Sequence, residues 1–160
     1  MRKQKGFSLI ELLIVVAIIL IIAAIAIPNL LRSRIAANEA SAVGSVRTIN
    51  TAEITYASTY PECGFAPLLS LGGAGGSATG AGLLDSVLAS GNKSGYAFTA
   101  AASGGTNPCT AGGVPNTNYT VTGNPLSAGQ TGQRYFFSDQ SGVIRANNGA
   151  AATATSNALQ

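Results

Sequence analysis

The chain has 160 residues, of which nine are Lys or Arg, six are Asp or Glu and none is His. The lack of histidine excludes Ser-His-Asp and Cys-His nucleophiles and every zinc site that uses an imidazole. Three of the nine basic residues, Arg2, Lys3 and Lys5, precede the first apolar run, which leaves six basic side chains against six acidic ones. That balance, without a basic cluster, argues against nucleic-acid binding. The acidic residues show no motif spacing, so we expect no enzymatic activity, no metal site and no cofactor.

The first predicted element is an apolar helix over residues 7–27, in which Glu11 is the sole ionisable side chain. At about 1.5 Å per residue this helix would be about 30 Å long, which matches the hydrocarbon core of a bilayer. Arg2, Lys3 and Lys5 directly precede it, and the positive-inside rule keeps that end in the cytoplasm. The sequence thus predicts one membrane-spanning segment with the remainder of the chain outside.

Glu11 is unusual in such a segment, because an acidic residue costs about 2.5 to 3.5 kcal/mol at the centre of a membrane helix and less near an end. No Lys or Arg lies between Phe7 and Leu31 to pair with it. A cut after Gly6 would supply a cation, since the new α-amino group of Phe7 would have a pKa near 8. At about 4 Å and an effective dielectric of about 20, that pair would be worth about 4 kcal/mol. We expect Glu11 to pair with this amine, within one chain or between staggered neighbours.

The residues around this cut resemble the class III signal of type IV pilins and the related pseudopilins. In that family a basic leader ends in Gly, Phe follows, and Glu comes four residues later, a pattern matched by Lys5, Gly6, Phe7 and Glu11. The resemblance implies that a prepilin peptidase cuts between Gly6 and Phe7 and methylates the Phe7 amine. It also implies that Glu11 pairs with the Phe7 amine of an adjacent subunit, and that Pro28 marks a kink where the helix can locally melt.

The same resemblance implies a location and a set of partners. The precursor would lie in the inner membrane with its C-terminus in the periplasm, and it would then join copies of itself in a helical filament. The platform protein and, indirectly, the assembly ATPase of a pilus or type II secretion system would act on it. The interpretation that this favours is a type IV pilus subunit. The alternatives are a type II secretion pseudopilin and a minor tip pilin that binds DNA or a surface.

Two other interpretations of the N-terminal segment stay open. An ordinary secretory signal also begins with basic residues, and Ala24-Ile25-Ala26 resembles its cleavage site, but its apolar run is usually only about 7 to 15 residues. A plain single-pass anchor would leave Glu11 unexplained. Mass spectrometry of the mature N-terminus distinguishes them: methylated Phe7 supports a pilin, Ile27 a secretory signal and Met1 an anchor.

After Pro28 the helix is predicted to continue to about Tyr60 and to end at Pro61. Apolar residues recur there at spacings of three, four or seven, which is typical of a helix that packs one face on a domain. This stripe consists of Leu31, Ile35, Ala42, Val46, Ile49, Tyr56 and Tyr60. The charged residues Arg32, Arg34, Glu39, Arg47 and Glu53 are expected to lie largely off the stripe.

A loop region and a sheet are predicted to follow. Leu68, Leu69 and Leu71 are expected to pack on the long helix, and a short helix is predicted over 83–90. Four β-prone segments, at 96–99, 119–122, 134–138 and 143–145, predict an antiparallel sheet with a hairpin turn at 139–142. Tyr96 and Phe98 are expected to face the long helix. Residues 146–160 are predicted to form an extended arm or to be disordered.

Cys63 and Cys109 are the only cysteines in the sequence, and both lie beyond the membrane segment, in an oxidising compartment. We expect a disulfide between them, because no Cys-x-x-Cys spacing indicates a redox role. In the chain-entropy model it would stabilise the domain by about 4 kcal/mol. Many type IV pilins instead use such a bridge to pin a loop near the C-terminus.

The elements together predict an α+β, pilin-like fold, with a long N-terminal helix packed on a small antiparallel sheet. The predicted parts are a leader at 1–6, an assembly half-helix at 7–28, an amphipathic half-helix at 29–61, a loop with a short helix at 62–91, and the sheet with a C-terminal arm at 92–160.

Overall fold

The computed structural model describes residues 7–106 and 108–159, so the predicted leader at 1–6 lies outside the described residues. The chain divides into two units, one up to Arg34 and one from Ile35 onward. A single long helix, α1 (Leu9–Thr59), contributes to both units. In the second unit α1 packs on a six-stranded antiparallel sheet. The fold is therefore α+β, as the sequence predicts.

Helix α1 ends where the sequence predicts an end. Its last residue is Thr59, and Tyr60 follows with Pro61 behind it. The proline ring disfavours the helical conformation in the residue before it, which accounts for the end of the helix before Tyr60. The N–H of Tyr60 still donates to the carbonyl of Tyr56 at 2.8 Å, which closes the last turn.

One face of α1 in the second unit is buried. Of the predicted stripe, Ala42, Val46, Ile49 and Tyr56 are at most 1% exposed. The prediction that Glu39 and Glu53 lie off this stripe is wrong, because both are buried. Each lies seven residues from Val46, and two helical turns bring a residue back to the same face. The buried face therefore carries two carboxylates.

Helix α2 (Leu68–Leu71) forms in the segment expected to be a loop. Leu68 and Leu71 are buried as predicted, but Leu69 is 76% exposed, so its predicted packing is wrong. Successive side chains on a helix point in different directions, and only those three apart share the face that meets the core. Leu69 is left on the outer side.

Helix α3 (Ser86–Ala89) is shorter than the helix predicted over 83–90. Asp85 explains its start: the backbone of Asp85 is extended, and its carboxylate accepts a hydrogen bond from the N–H of Leu88 at 3.0 Å. This is an N-cap, which fixes the first helical residue at Ser86. The C-cap is Ser90, and Gly91 follows with a positive φ of 85° that ends the helix.

The sheet is a meander in which every strand pairs with the next one in the chain, all antiparallel. Its strands are β1 (Asn92–Lys93), β2 (Tyr96–Ser103), β3 (Asn118–Pro125), β4 (Arg134–Asp139), β5 (Arg145–Asn148) and β6 (Asn157–Ala158). Tyr96 and Phe98 are 0% and 3% exposed and belong to the same core as the buried face of α1. Their predicted orientation is confirmed.

The last hairpin is present, but its second strand begins two residues later than predicted. The Asp139 carboxylate accepts hydrogen bonds from both the N–H and the hydroxyl of Ser141, and the Ser141 hydroxyl accepts one from the N–H of Val143 at 3.3 Å. These local bonds hold residues up to Val143 in the turn. The strand therefore starts at Arg145 and not at Val143.

Of the two predictions for residues 146–160, an extended arm or disorder, disorder is wrong for the described residues up to Leu159. Strand β5 extends to Asn148, and β6 pairs with it through Ala146 and Asn157. The N–H of Leu159 donates to the carbonyl of Ile144 at 2.8 Å, and the side chain of Ala152 is 7% exposed. Backbone pairing at the sheet edge orders this segment despite its small and polar side chains.

Candidate assembly and processing site

The predicted site residues fall in two groups, one at the start of α1 and one at its end. At the start, Ser8 is the residue before the helix, and its carbonyl accepts the first helical hydrogen bond, from the N–H of Leu12 at 3.2 Å. The Ser8 hydroxyl accepts from the N–H of Ile10 at 3.3 Å. The Glu11 carboxylate in turn accepts from the N–H of Ser8 at 2.9 Å. This reciprocal pattern is a capping box.

The capping box gives Glu11 a role that the sequence analysis missed. Its carboxylate lies against the backbone N–H of Ser8, one residue from Phe7, whose side chain is 80% exposed. The signal was present in the sequence, because Ser followed three residues later by Glu before an apolar run is the capping-box pattern. The structure thus brings Glu11 next to the end of the chain that cleavage after Gly6 would create. Gly6 itself lies outside the described residues.

The apolar side chains that follow Glu11 are exposed. From Leu12 to Ile27 every large aliphatic side chain is 44% to 65% exposed. Within the described ranges one helix, α1, is long and apolar enough to cross a membrane. Hydrocarbon surface on this scale is compatible with lipid or with an apolar partner and is costly in water.

Pro28 lies inside α1, in the first unit. Proline has no N–H, so the carbonyl of Ala24 cannot receive the usual helical hydrogen bond from this position. The helix nevertheless continues on both sides of Pro28. The predicted local melting at this point stays a prediction.

At the other end of α1, the predicted disulfide between Cys63 and Cys109 is present. The N–H of Cys63 donates to the carbonyl of Tyr60 at 2.9 Å, so the bridge follows directly from the last turn of the helix. The N–H of Cys109 donates to the carbonyl of Glu62 at 3.3 Å. The bridge therefore fastens the segment before β3 to the end of α1.

Glu39 connects α1 to the start of β4. Its carboxylate accepts hydrogen bonds from the backbone N–H of Gln133 at 2.8 Å and of Arg134 at 3.2 Å, and it forms an ion pair with the Arg134 guanidinium at 2.7 Å. Burial acts to raise the pKa of Glu39, but these hydrogen bonds and the charge of Arg134 outweigh it, so the pKa lies below its ordinary value. Glu39 is therefore a satisfied, ionised contact between helix and sheet.

Glu53 is buried, and no cationic side chain among the described residues forms an ion pair with it. It is 0% exposed, and one oxygen accepts the N–H of Ala66 at 3.0 Å. The other oxygen has no hydrogen-bond partner among the described residues. Burial raises the pKa of Glu53 to about 7, and the bond from Ala66 opposes this only in part. Glu53 follows Val46 by seven residues, or two helical turns, and this spacing was the signal in the sequence that the two side chains share the buried face.

Across residues 7–106 and 108–159, no group of three or more Asp, Glu or Cys side chains is placed to hold a metal ion. Glu11 belongs to the first unit, and Glu39 and Glu53 to the second. Asp85 pairs with Lys93 at 3.1 Å, and Asp139 accepts only local bonds from Ser141 among those described.

Comparison with known proteins finds similarity to part of the chain. A model of the prokaryotic N-terminal methylation motif matches residues 1–27. The chain is also 67% identical over 39 residues to the type IV wide pilus major component PilA4 of Thermus thermophilus, covering 24% of this chain and 30% of that protein. It is 40% identical over 72 residues to the type IV major pilin protein PilA of Myxococcus xanthus, covering 41% of this chain and 33% of that protein. Part of this chain is therefore similar to type IV pilins.

The matches span about a third of the length of each of these pilins. No solved structure matches the chain significantly. The matched motif encloses Gly6, Phe7 and Glu11, and the roles expected for these residues and for Pro28 stay predictions. The Cys63–Cys109 disulfide lies outside the motif. It belongs to the second unit, which contains the sheet and is called the sheet unit below.

Proposed function

We propose that this protein is a structural subunit of a type IV pilus. The observation that carries the proposal is the match of residues 1–27 to the N-terminal methylation motif, in a helix whose apolar side chains are exposed. An exposed helix of this composition needs lipid before assembly and an apolar partner after it. Lipid covers this surface in the precursor, and neighbouring copies of the same helix cover it in a filament of identical subunits.

The precursor is anchored in the inner membrane by the apolar part of α1, with the sheet unit in the periplasm. A prepilin peptidase cleaves the bond after Gly6 on the cytoplasmic side and methylates the amine of Phe7. The positive charge of Arg2, Lys3 and Lys5 supports this orientation, since basic residues are retained on the cytoplasmic side. The platform protein and the assembly ATPase then act on the mature pilin.

Assembly moves the apolar helix out of lipid and into a bundle of identical helices. Lipid tails are as apolar as Leu, so this transfer by itself provides little driving force, and close packing and polar pairing must supply the preference. The pair between Glu11 and the Phe7 amine of a neighbouring subunit supplies the polar part. The near-neutral charge of the mature chain also favours association of like subunits.

Two measurements on one sample test this function. Surface fibres are sheared from the source bacterium, viewed by electron microscopy, and their main component is analysed by mass spectrometry. The expected result is a fibre composed of this chain, beginning at N-methylated Phe7. Fibres that lack this chain, or a mature chain that begins at Met1 or Ile27, would overturn the proposal.

A pseudopilin of a type II secretion system is the nearest alternative, because it would share the same first helix. Both relatives found here are named as major pilus components, which favours the pilus. Location separates the two, since a pseudopilin would stay in the periplasm and would not be recovered in sheared fibres.

A further inference from the structure

Arg32 and Arg34 follow the apolar part of α1 and belong to the first unit. Both residues are exposed. Neither takes part in an ion pair among the described residues, where Lys93 and Arg134 are the cations that do. The two guanidinium groups are therefore available to a ligand outside the chain.

The exposed charge on α1 beyond its apolar run is all positive. The exposed charged residues of this stretch are Arg32, Arg34 and Arg47. Its two acidic residues, Glu39 and Glu53, are buried. Because opposite charges attract and no exposed carboxylate lies on this part of the helix, the ligand that complements Arg32 and Arg34 is an anion.

The positions of these arginines correspond to the polar layer of a bilayer. With residues 7–27 in the hydrocarbon core, Arg32 and Arg34 lie about 8 and 11 Å beyond Ile27 along the helix. The headgroup layer is about 5 to 8 Å thick on each side of the core. A long arginine side chain can extend its charged group toward this layer while its methylene groups cover apolar surface. Both guanidinium groups can thus reach lipid phosphates.

The two arginines point to different sides of α1. Residues two apart are about 200° apart around a helix, so they do not face each other. Each guanidinium can therefore contact a separate lipid. Its planar array of N–H groups can donate two parallel hydrogen bonds to one phosphate, which a lysine ammonium cannot do.

Membrane orientation does not explain why Arg32 and Arg34 are basic. Basic residues that flank a membrane segment are retained on the cytoplasmic side, and the proposed orientation places these two on the opposite side. They therefore act against the three basic residues of the leader. A favourable contact on the outer side would offset this opposition.

We infer that Arg32 and Arg34 form a binding site for the phosphate groups of anionic phospholipids in the outer leaflet of the inner membrane. The site holds this end of the apolar segment at the membrane surface before assembly. The inference rests on the proposed function, since it requires the apolar part of α1 to span the membrane. It adds a class of lipid as a partner and two residues that bind it.

The test measures lipid binding to the full-length chain, purified in detergent, by native mass spectrometry. Anionic phosphatidylglycerol and zwitterionic phosphatidylcholine are titrated separately. Arg32→Gln/Arg34→Gln removes both charges, and Arg32→Lys/Arg34→Lys keeps them. Arg47→Gln is the matched control, because Arg47 is also an exposed arginine of α1 but belongs to the second unit. Formation of the Cys63–Cys109 disulfide is measured in each sample to show that the sheet unit has folded.

Arg32→Gln/Arg34→Gln is expected to bind phosphatidylglycerol about 25-fold more weakly than the wild type. This is about fivefold for each arginine, which corresponds to about 1 kcal/mol per basic residue at an anionic surface. Arg32→Lys/Arg34→Lys should stay within about threefold of the wild type and Arg47→Gln within about twofold. Phosphatidylcholine binding should not change. Every chain keeps the leader, so its basic residues contribute equally to all samples.

Equal phosphatidylglycerol affinities for the wild type and Arg32→Gln/Arg34→Gln, or an equal loss in Arg47→Gln, would overturn the inference and leave the proposed function standing. A variant that keeps its lipid binding but forms no surface fibres would also overturn it, because the arginines would then contact a neighbouring subunit. A wild-type chain that is not recovered in the membrane fraction before assembly would overturn both the inference and the proposed function.

Discussion

Glu53 on the buried face of α1 accepts a 3.0 Å hydrogen bond from the backbone N–H of Ala66, just beyond the disulfide-bonded Cys63. The helix is thus fastened to the same loop twice, once by a covalent bond and once by a buried carboxylate. The two fastenings respond to different conditions. The disulfide depends on the redox state, and the carboxylate depends on pH.

Glu53→Gln is expected to stabilise the sheet unit at pH 8. The pKa of Glu53 is raised from an ordinary value of 4.5 to about 7. Between these values the folded chain binds more protons than the unfolded chain, so wild-type stability falls as pH rises. The fall amounts to at most about 3 kcal/mol. Glutamine can still accept from Ala66 and removes this loss.

The measurement is urea denaturation of the full chain in detergent micelles at pH 5 and pH 8. All five tyrosines lie from Tyr56 onward and the chain has no Trp, so tyrosine fluorescence reports on the sheet unit. Glu62→Gln, at an exposed position, serves as the control. A Glu53→Gln chain that is as pH-sensitive as the wild type, or less stable at pH 8, would contradict this account.

Glu39→Ala is expected to destabilise the sheet unit by about 3 kcal/mol at neutral pH, because it leaves Arg134 and two backbone N–H groups without their acceptor. The pKa of Glu39 is lowered, so its stabilisation is present above the ordinary value of 4.5 and is lost as pH falls through the lower folded value. Its pH response is opposite to that of Glu53.

Denaturation of the Glu39→Ala chain between pH 3 and pH 7 checks both statements. The difference in unfolding free energy from wild type should shrink at the acid end of this range. Arg134→Ala is the companion variant, and it should lose less because the backbone bonds to Glu39 remain. A constant difference at every pH would show that folding does not lower the pKa of Glu39.

Reduction of the Cys63–Cys109 bridge is expected to lower the stability of the sheet unit by about 4 kcal/mol. The two cysteines are separated by 46 residues, so the bridge restricts a long loop in the unfolded chain. Urea midpoints with and without dithiothreitol give the effect. The double variant Cys63→Ser/Cys109→Ser should match the reduced wild type and should not respond to the reductant.

Glu11→Gln is expected to separate processing from assembly. Glutamine is an accepted partner in a capping box, so the N–H of Ser8 keeps its acceptor and cleavage after Gly6 should proceed. The negative charge is lost, so the pair with the Phe7 amine cannot form and filaments should fail to grow. Cleavage of Glu11→Ala should also be largely unaffected, since the Ser8 hydroxyl still caps the helix. This variant should not assemble, because it too lacks the negative charge.

Electron microscopy of sheared fibres and mass spectrometry of the membrane fraction measure the two steps separately. Glu62→Gln is a suitable control, because it removes an exposed carboxylate of the sheet unit. Filaments of normal number and length from Glu11→Gln would remove the role proposed for this charge.

What the sequence by itself determined is the first unit and the general architecture. An apolar run of membrane length, the basic leader, Gly6-Phe7 and Glu11 are all local features, and local features are readable without a fold. The end of α1 before Pro61 and the pairing of the two cysteines were also predictable, because proline geometry and an oxidising compartment leave few alternatives.

Only the tertiary structure decided which polar groups are buried and where the short elements begin. Glu39 and Glu53 share a face with Val46, but their burial depends on the N–H groups that β4 and the Ala66 loop bring to them. The start of β5 depends on hydrogen bonds within the turn from Asp139, and residues 157–158 became a strand because β5 offered them an edge. Such contacts join positions far apart in sequence or depend on bonds within a turn, and periodicity along the chain does not record them.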